Sequence, residues 1–253
     1  MDSESGTAVA TSDFVVLPNA KTERALLSRA MSEIAEPGRP LRVLEAGCGQ
    51  KWGISVAGVP LHITGVDTDA EAMRIRREQQ ADLDEEIIGD LRSVELPAAA
   101  YDVTYCSYVL EHVEGAEAIL DRLVAATRPG GRIIIRVPDG NTVYGFAVKH
   151  SPHRVHVLYK RYIERFPDAG KPGHAPYPTV YDPVITLAGL REYGRRHGLT
   201  VVEEYGVMAL TPGLGRLRPL VVWVMRGLAK LSRGRLAGSH VNIGFVLERP
   251  RTS

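Results

Sequence analysis

Hydrophobic and polar positions alternate along this chain in two patterns. Short apolar runs with the length of buried strands occupy residues 41–46, 61–66, 86–89, 101–106 and 132–137. Segments whose apolar side chains recur at helical spacing occupy residues 20–36, 69–80 and 116–127. Strands that alternate with helices in this way are typical of a parallel sheet covered by helices on both faces.

The second half of the chain continues the pattern less regularly. We expect a helix over residues 184–197, a strand over 199–204 and a final antiparallel strand over 240–248, at or near the sheet edge. The whole pattern predicts an α/β fold with a doubly wound, mostly parallel sheet of seven strands. We interpret residues 13–253 as a single domain and residues 1–12 as a disordered leader.

Two insertions interrupt this pattern. Residues 139–180 are rich in His, Tyr, Pro and Gly and show no clear period, so we expect them to fold over the functional site. Their aromatic side chains fit either a small-molecule pocket or the packing of a cap onto the sheet, and they are Tyr144, Phe146, Tyr159, Tyr162, Tyr177 and Tyr181. Residues 171–178 are stiff and turn-rich, which predicts a lid or a pocket wall.

The second insertion, residues 208–238, contains a basic and apolar segment at 217–233. A helix here would have an apolar face made by Leu220, Trp223, Val224, Leu228 and Leu231. One interpretation is contact with a membrane surface or an acyl chain. The interpretation we favour is a helix that faces the core or a second copy in a homodimer, with a solvated basic edge.

Overall composition narrows the class of protein. A formal net charge of +1 supplies no general attraction to nucleic acid. Two cysteines, Cys48 and Cys106, do not make a disulfide framework, so we expect a reducing, cytoplasmic location. The N-terminus lacks the basic start and apolar run of a secretory signal.

The most informative stretch is Leu-Arg-Val-Leu-Glu-Ala-Gly-Cys-Gly at residues 41–49. An apolar strand runs into an acidic residue and then a Gly-x-Gly turn, and glycines let the backbone approach a ligand closely. The acid indicates that the nearest part of the ligand is cationic, unlike a phosphate. Polar residues at the ends of the neighbouring predicted strands, where such sheets bind ligands, are Asp67, Asp90 and Ser107.

Together with Leu110-Glu111-His112-Val113 and Pro129-Gly130-Gly131, these residues resemble the class I S-adenosylmethionine-dependent methyltransferases that act on small molecules. The resemblance covers residues 41–138 well and residues 184–248 more loosely. It implies that S-adenosylmethionine is the cofactor and that a small molecule accepts the methyl group.

The resemblance also implies a role for each strand end. Glu45 would face the methionine ammonium, and the main chain of Gly47, Cys48 and Gly49 would lie against the ligand. Asp67, followed by Thr68, would accept hydrogen bonds from the ribose hydroxyls, since a carboxylate offers two acceptor oxygens to a diol. Asp90 and Leu91 would contact the adenine, and Cys106 and Ser107 would border the sulfonium.

A dinucleotide-dependent oxidoreductase is the main rival for a Gly-x-Gly turn after a strand. Its fingerprint needs a third glycine at the position of Trp52, and Gly53 lies one place late. Glu45 would also repel a pyrophosphate. A Gly-Lys-Ser/Thr phosphate loop is absent from the sequence as well.

For an oxygen acceptor the reaction needs a base, and His112 is the first candidate. The alternative is that His112 caps the next helix or packs beneath the ligand, while Glu111 is a second polar contact or fixes the loop. We expect no metal, because the spacing of His150, His153 and His156 is not a recognised ligand spacing. Each of these histidines, like His174, could instead reach the acceptor or lie on the surface.

We therefore predict a methyltransferase that methylates an oxygen of a hydroxylated metabolite. A non-catalytic protein of the same fold, which binds S-adenosylmethionine or scaffolds a partner, is the alternative.

Overall fold

The computed structural model describes residues 14–171, 176–177, 179–180, 182–208, 210 and 212–251. The predicted leader, His174 and Tyr181 lie outside the described residues, as does most of the predicted lid at 171–178. The strands of the sheet are β1 Val15–Leu17, β2 Leu41–Ala46, β3 Leu61–Asp67, β4 Glu85–Ile88, β5 Tyr101–Ser107, β6 Thr127–Pro138, β7 Thr200–Val207 and β8 Asn242–Glu248.

These strands form one mixed sheet in the order β1-β7-β8-β6-β5-β2-β3-β4. β8 runs antiparallel to β6 and β7, and the other pairs are parallel. The predicted α/β class is therefore confirmed, with the short strand β1 as an eighth member. β8 is inserted between two strands and does not lie at the edge, where β1 pairs with β7 instead.

The helices are α1 Ala20–Ser32, α2 Ala70–Gln79, α3 Ala116–Ala126, α4 Val143–His150, α5 His153–Tyr162, α6 Leu187–Arg196 and α7 Arg218–Leu231. Polar side chains start several of them by accepting backbone N–H groups, such as Asn19 before α1 and Asp69 before α2. The insertion at 139–180 is thus not irregular throughout, since it contains α4 and α5. β6 begins at Thr127, so Pro129-Gly130-Gly131 lies within this strand, where its pairing with β5 is irregular.

Apolar side chains pack on both faces of the sheet. Leu123 of α3 and Leu190 of α6 belong to the cluster on one face. Leu27 and Met31 of α1 belong to the cluster on the other. With both faces covered, the carboxyl-terminal ends of the parallel strands remain as the open edge, which is where the functional site lies.

Candidate active site

Three adjoining cavities lie at this edge. The first, about 700 Å³, extends past the ends of β2, β3 and β4 and includes Asp67. The second, about 330 Å³, lies between β2, β5 and α1 and includes Glu45. The third, about 690 Å³, lies against α4 and α5 of the first insertion.

Most of the residues proposed from the sequence line the first two cavities. Those in the first cavity are Gly47, Gly49, Asp67, Thr68, Asp90, Leu91 and His112. Those in the second cavity are Glu45, Gly47, Cys48 and Ser107. Gly47 therefore marks the boundary between the two cavities.

Asp67 is held in place by the backbone around it. Its Oδ2 accepts the Gly49 N–H at 2.8 Å, and its Oδ1 accepts the Asp69 N–H at 2.9 Å. Asp67 thus ties the Gly-x-Gly turn to the start of α2. A carboxylate has further lone pairs, so it can still accept hydroxyl donors from the first cavity.

The two glycines of the turn have different roles. Both have positive φ, +70° at Gly47 and +54° at Gly49, which side chains disfavour. A Cβ on Gly47 would lie 2.1 Å from Cγ2 of Val109, whereas a Cβ on Gly49 would meet nothing within 4 Å. The missing side chain at Gly47 therefore leaves room for the side chain of Val109. The missing side chain at Gly49 leaves space that a ligand could occupy.

Glu45 has a cationic partner within the protein. Nη1 of Arg76 lies 2.8 Å from Oε2 of Glu45, and Arg76 also pairs with Asp82 and donates to the Cys48 carbonyl. Burial raises the pKa of Glu45 above its usual range, and Arg76 opposes that shift. This pair was not predicted, although Arg76 lies four residues after Ala72 and three after Met73, and so on the buried face of α2.

The second cavity contains charges of both signs. Arg24, Lys51 and Arg136 line it together with Glu45. Arg136 is paired with the buried Glu23 of α1 at 2.6 Å, and it donates to Ser107 Oγ at 3.0 Å. A zwitterionic group, such as the amino-acid end of a ligand, would meet an acid and several bases there.

Cys106 lies elsewhere than predicted. Its side chain is fully buried in the apolar cluster that contains Leu110 and Ala46, and it lines none of the three cavities. Side chains alternate along a strand, so Cys106 points into the core while Tyr105 and Ser107 contact Arg136 on the other face. Its contribution is packing, which corrects the expectation that it borders the sulfonium.

Asp90 also has a charged partner that was not predicted, Arg92. Nη2 of Arg92 lies 2.6 Å from Oδ2 of Asp90. Hydrogen bonds from the Arg92 side chain and backbone hold the pKa of Asp90 below its usual range. Asp90 therefore remains an anion at the wall of the first cavity, next to the buried Leu91.

Tyr108 lines all three cavities, and nothing in the sequence pattern identified it. Its φ of 57° is unusual for a residue with a side chain. The phenol oxygen accepts hydrogen bonds from Asn242 at 2.9 Å and from Arg136 at 3.4 Å. These contacts fix the ring at the point where the three cavities meet.

His112 lies between the first and third cavities and lines both. Its Nε2 is 3.8 Å from Oε1 of Glu111, and its ring meets that of Tyr177 edge to face at 5.8 Å. Glu111 is buried, and burial raises its pKa to about 8. Tyr177 also lines both cavities. Its hydroxyl donates to Oδ2 of Asp69 at 3.4 Å, which connects the first insertion to the start of α2.

The third cavity uses part of the aromatic set of the first insertion. Tyr144, Tyr159 and Tyr177 line it, together with His156. Phe146 and Tyr162 are 47% and 75% exposed and do not line it. Within the described part of the chain, no group of three His, Cys, Asp or Glu side chains is placed to hold a metal ion.

Comparisons with known proteins agree with this geometry. A family model described as "Methyltransferase domain" matches residues 20–204. The ubiquinone biosynthesis O-methyltransferase of Aeromonas salmonicida is 28% identical over 174 residues, which are 66% of this chain and 66% of that protein. The malonyl-[acyl-carrier protein] O-methyltransferase of Erwinia pyrifoliae is 30% identical over 103 residues, 40% of this chain and 39% of that protein.

These alignments span about two thirds or less of the length of the curated relatives. Among solved structures, an S-adenosylmethionine dependent methyltransferase from Mesorhizobium loti matches with a TM-score of 0.52 at 15% identity, over 87% of this chain and 96% of that one. That likeness concerns the fold. Because the family model covers well over half of the chain, the protein belongs to the methyltransferase-domain family, and the predicted resemblance to class I S-adenosylmethionine-dependent methyltransferases is confirmed.

Proposed function

We propose that this protein transfers the methyl group of S-adenosylmethionine to a hydroxyl oxygen of a small molecule bound in the third cavity. The observation that carries this proposal is that His112 and Tyr177 line both the first and the third cavity. A group bound in one cavity can therefore meet a group bound in the other beside the imidazole. Two relatives named above are O-methyltransferases, and the cavity volume is in the range of small-molecule sites.

The residues present fit the cofactor. Asp67 offers a carboxylate for the ribose hydroxyls, with Thr68 beside it. Leu91 offers an apolar surface for the adenine ring, and Asp90 would accept a hydrogen bond from the adenine amino group. The mixed charges of the second cavity, Glu45 among them, suit the zwitterionic methionine end, near Cys48 and Ser107. When bound, the cofactor supplies an electrophilic methyl group on a positively charged sulfur.

The protein holds the acceptor in line and removes its proton. His112 takes the hydroxyl proton as the oxygen attacks, and the buried carboxyl group of Glu111 lies beside it, with Oε1 3.8 Å from Nε2 of His112. Tyr108 and Tyr177 lie beside His112 where the first and third cavities meet. Little new charge develops, so positioning accounts for much of the rate.

The test has two stages. Calorimetric titration with S-adenosylhomocysteine should show binding to the wild type and at least about tenfold weaker binding to Asp67→Ala. Incubation with methyl-labelled S-adenosylmethionine and a panel of phenols, aliphatic alcohols and carboxylic acids should then label a hydroxyl oxygen. A folded protein that does not bind S-adenosylhomocysteine would contradict the cofactor assignment. Binding of S-adenosylhomocysteine without methyl transfer to any acceptor would favour the non-catalytic alternative.

A further inference from the structure

Helix α7 presents most of its apolar residues to solvent. Met225 is its buried residue, and Val221 and Val222 pack beside it. Trp223 and Leu231, in contrast, are 73% and 79% exposed. The interpretation of a core-facing helix is therefore wrong for its outer face, where the exposed residues are Leu220, Trp223, Val224, Leu228 and Leu231.

The first insertion has a similar exposed face. Leu158 and Tyr162 of α5 are 52% and 75% exposed and lie four residues apart, so they share one face of the helix. Of the seventeen large apolar side chains that are exposed in the described residues, fourteen belong to the two insertions, and three of these, Val155, Tyr177 and Val180, line the cavities of the candidate active site. Exposed apolar surface is thus concentrated there, which indicates an interaction site rather than ordinary surface composition.

Charge is concentrated in the same place. Residues 139–180 and 208–238 contain twelve lysines and arginines and three acidic residues, a net charge of +9. The rest of the chain then has a net charge of −8, since the total is +1. The total charge is therefore close to zero, although the two insertions are strongly basic and the rest of the chain is strongly acidic.

The two insertions form one unit. Val143 of α4 packs with Met225 of α7 in a third apolar cluster, and Val143 N–H donates to the Ala237 carbonyl. Between α7 and the segment at Gly238 and Ser239, a groove of about 540 Å³ is lined by Trp223, Arg226 and Lys230. None of the side chains that line this groove is acidic, so it suits the phosphate of a lipid headgroup.

We propose that the two insertions form a docking surface for an anionic lipid membrane, on which α7 lies in the plane of the interface. Apolar side chains beside a basic flank are the pattern of such interfacial helices. No helix in the described ranges has the length and apolar character needed to cross a bilayer. Two copies joined through this surface would bring like charges together, which disfavours a dimer as the occupant.

The test is cosedimentation of the full chain with vesicles, and it requires no methyl acceptor. The protein should pellet with vesicles of equimolar phosphatidylcholine and phosphatidylglycerol at low salt, remain in solution with phosphatidylcholine alone, and be released by high salt. Trp223→Ser/Leu231→Ser and Arg226→Glu/Lys230→Glu should each reduce binding by at least about tenfold.

Ile88→Ser is the matched control. Ile88 is 60% exposed on β4, at the opposite edge of the sheet from β1, and the variant should bind vesicles like the wild type. All variants should bind S-adenosylhomocysteine as the wild type does, which checks their folding. The proposal is overturned by absence of binding to anionic vesicles, by equal loss in Ile88→Ser, or by a lipid-free dimer that Leu231→Ser dissociates.

Discussion

The guanidinium of Arg76 lies 2.8 Å from the carboxylate of Glu45, and both side chains are almost entirely buried. This pair changes the meaning of the acidic residue before the Gly-x-Gly turn. Glu45 anchors α2 to the end of β2, and any contact with a ligand ammonium would use its remaining acceptor capacity. Arg76 also holds Asp82 and the Cys48 carbonyl, so one side chain organises the base of the second cavity.

Replacement of Arg76 should therefore destabilise the fold. Arg76→Met leaves the buried Glu45 without its partner, and breaking a buried ion pair costs about 3–5 kcal/mol. Chemical denaturation measures the loss. Arg77→Met is the matched control on the same helix, because the Arg77–Glu86 pair is exposed at the surface and should contribute little. Equal stability of the two variants would contradict an anchoring role for Arg76.

Alanine at the two glycines of the turn should have different effects. Both variants incur the cost of positive φ, about 1–2 kcal/mol. Gly47→Ala also clashes with Val109 and should lose about 1–3 kcal/mol more, part of which Gly47→Ala/Val109→Ala should recover. Gly49→Ala has no clash and should instead weaken binding of S-adenosylhomocysteine. Thermal unfolding and calorimetry separate these effects, and identical behaviour of the two variants would argue against distinct roles.

Loss of the imidazole at His112 should slow turnover without loss of the cofactor. We expect His112→Ala to lower kcat by about 10²–10⁴, the usual contribution of a general base, while the Kd of S-adenosylhomocysteine changes only a few-fold. Tyr177→Phe retains the ring beside His112 and removes only the phenol bond to Asp69, so its kcat should remain near the wild type. Unchanged turnover in His112→Ala would remove His112 from the mechanism.

Glu111 should make stability depend on pH. Burial raises its pKa to about 8 from an ordinary value of 4.5, so the folded protein keeps a proton that the unfolded chain loses. The free energy of unfolding should therefore fall as pH rises from about 5 to 8. In Glu111→Gln this part of the slope should disappear, as measured by denaturation at a series of pH values. A slope equal to that of the wild type would show that another group titrates there.

Much of the fold could be predicted from the sequence. Buried strands such as β2 and β3 have uniform apolar runs, and α3 has clear helical spacing, so their types and positions agree with the prediction to within a residue or so. The three-residue strand β1 is too short to produce a pattern of its own. It forms because β7 offers a free parallel edge, and that partner lies almost two hundred residues away.

Site residues were predicted correctly where their position depends on the end of a strand or on a glycine turn. Asp67 and Gly49 follow directly from strand ends and a turn, and both line the first cavity. Prediction was wrong at Cys106, since one residue along a strand reverses the face on which a side chain lies. The core-facing alternative for α7 was also wrong for its outer face, because an apolar helical face in a sequence looks the same whether or not the fold covers it.

The class of the fold, the family and the polar strand ends follow from the amino-acid sequence alone, because they depend on local periodicity and short spacings. The partner of each charged side chain and the exposure of each apolar face depend on how the whole chain packs. Arg76 beside Glu45, Val109 above Gly47 and Tyr108 at the junction of three cavities are contacts between segments that lie far apart along the chain or meet only through the sheet. Their energies depend on burial, and burial is a property of the packed chain as a whole.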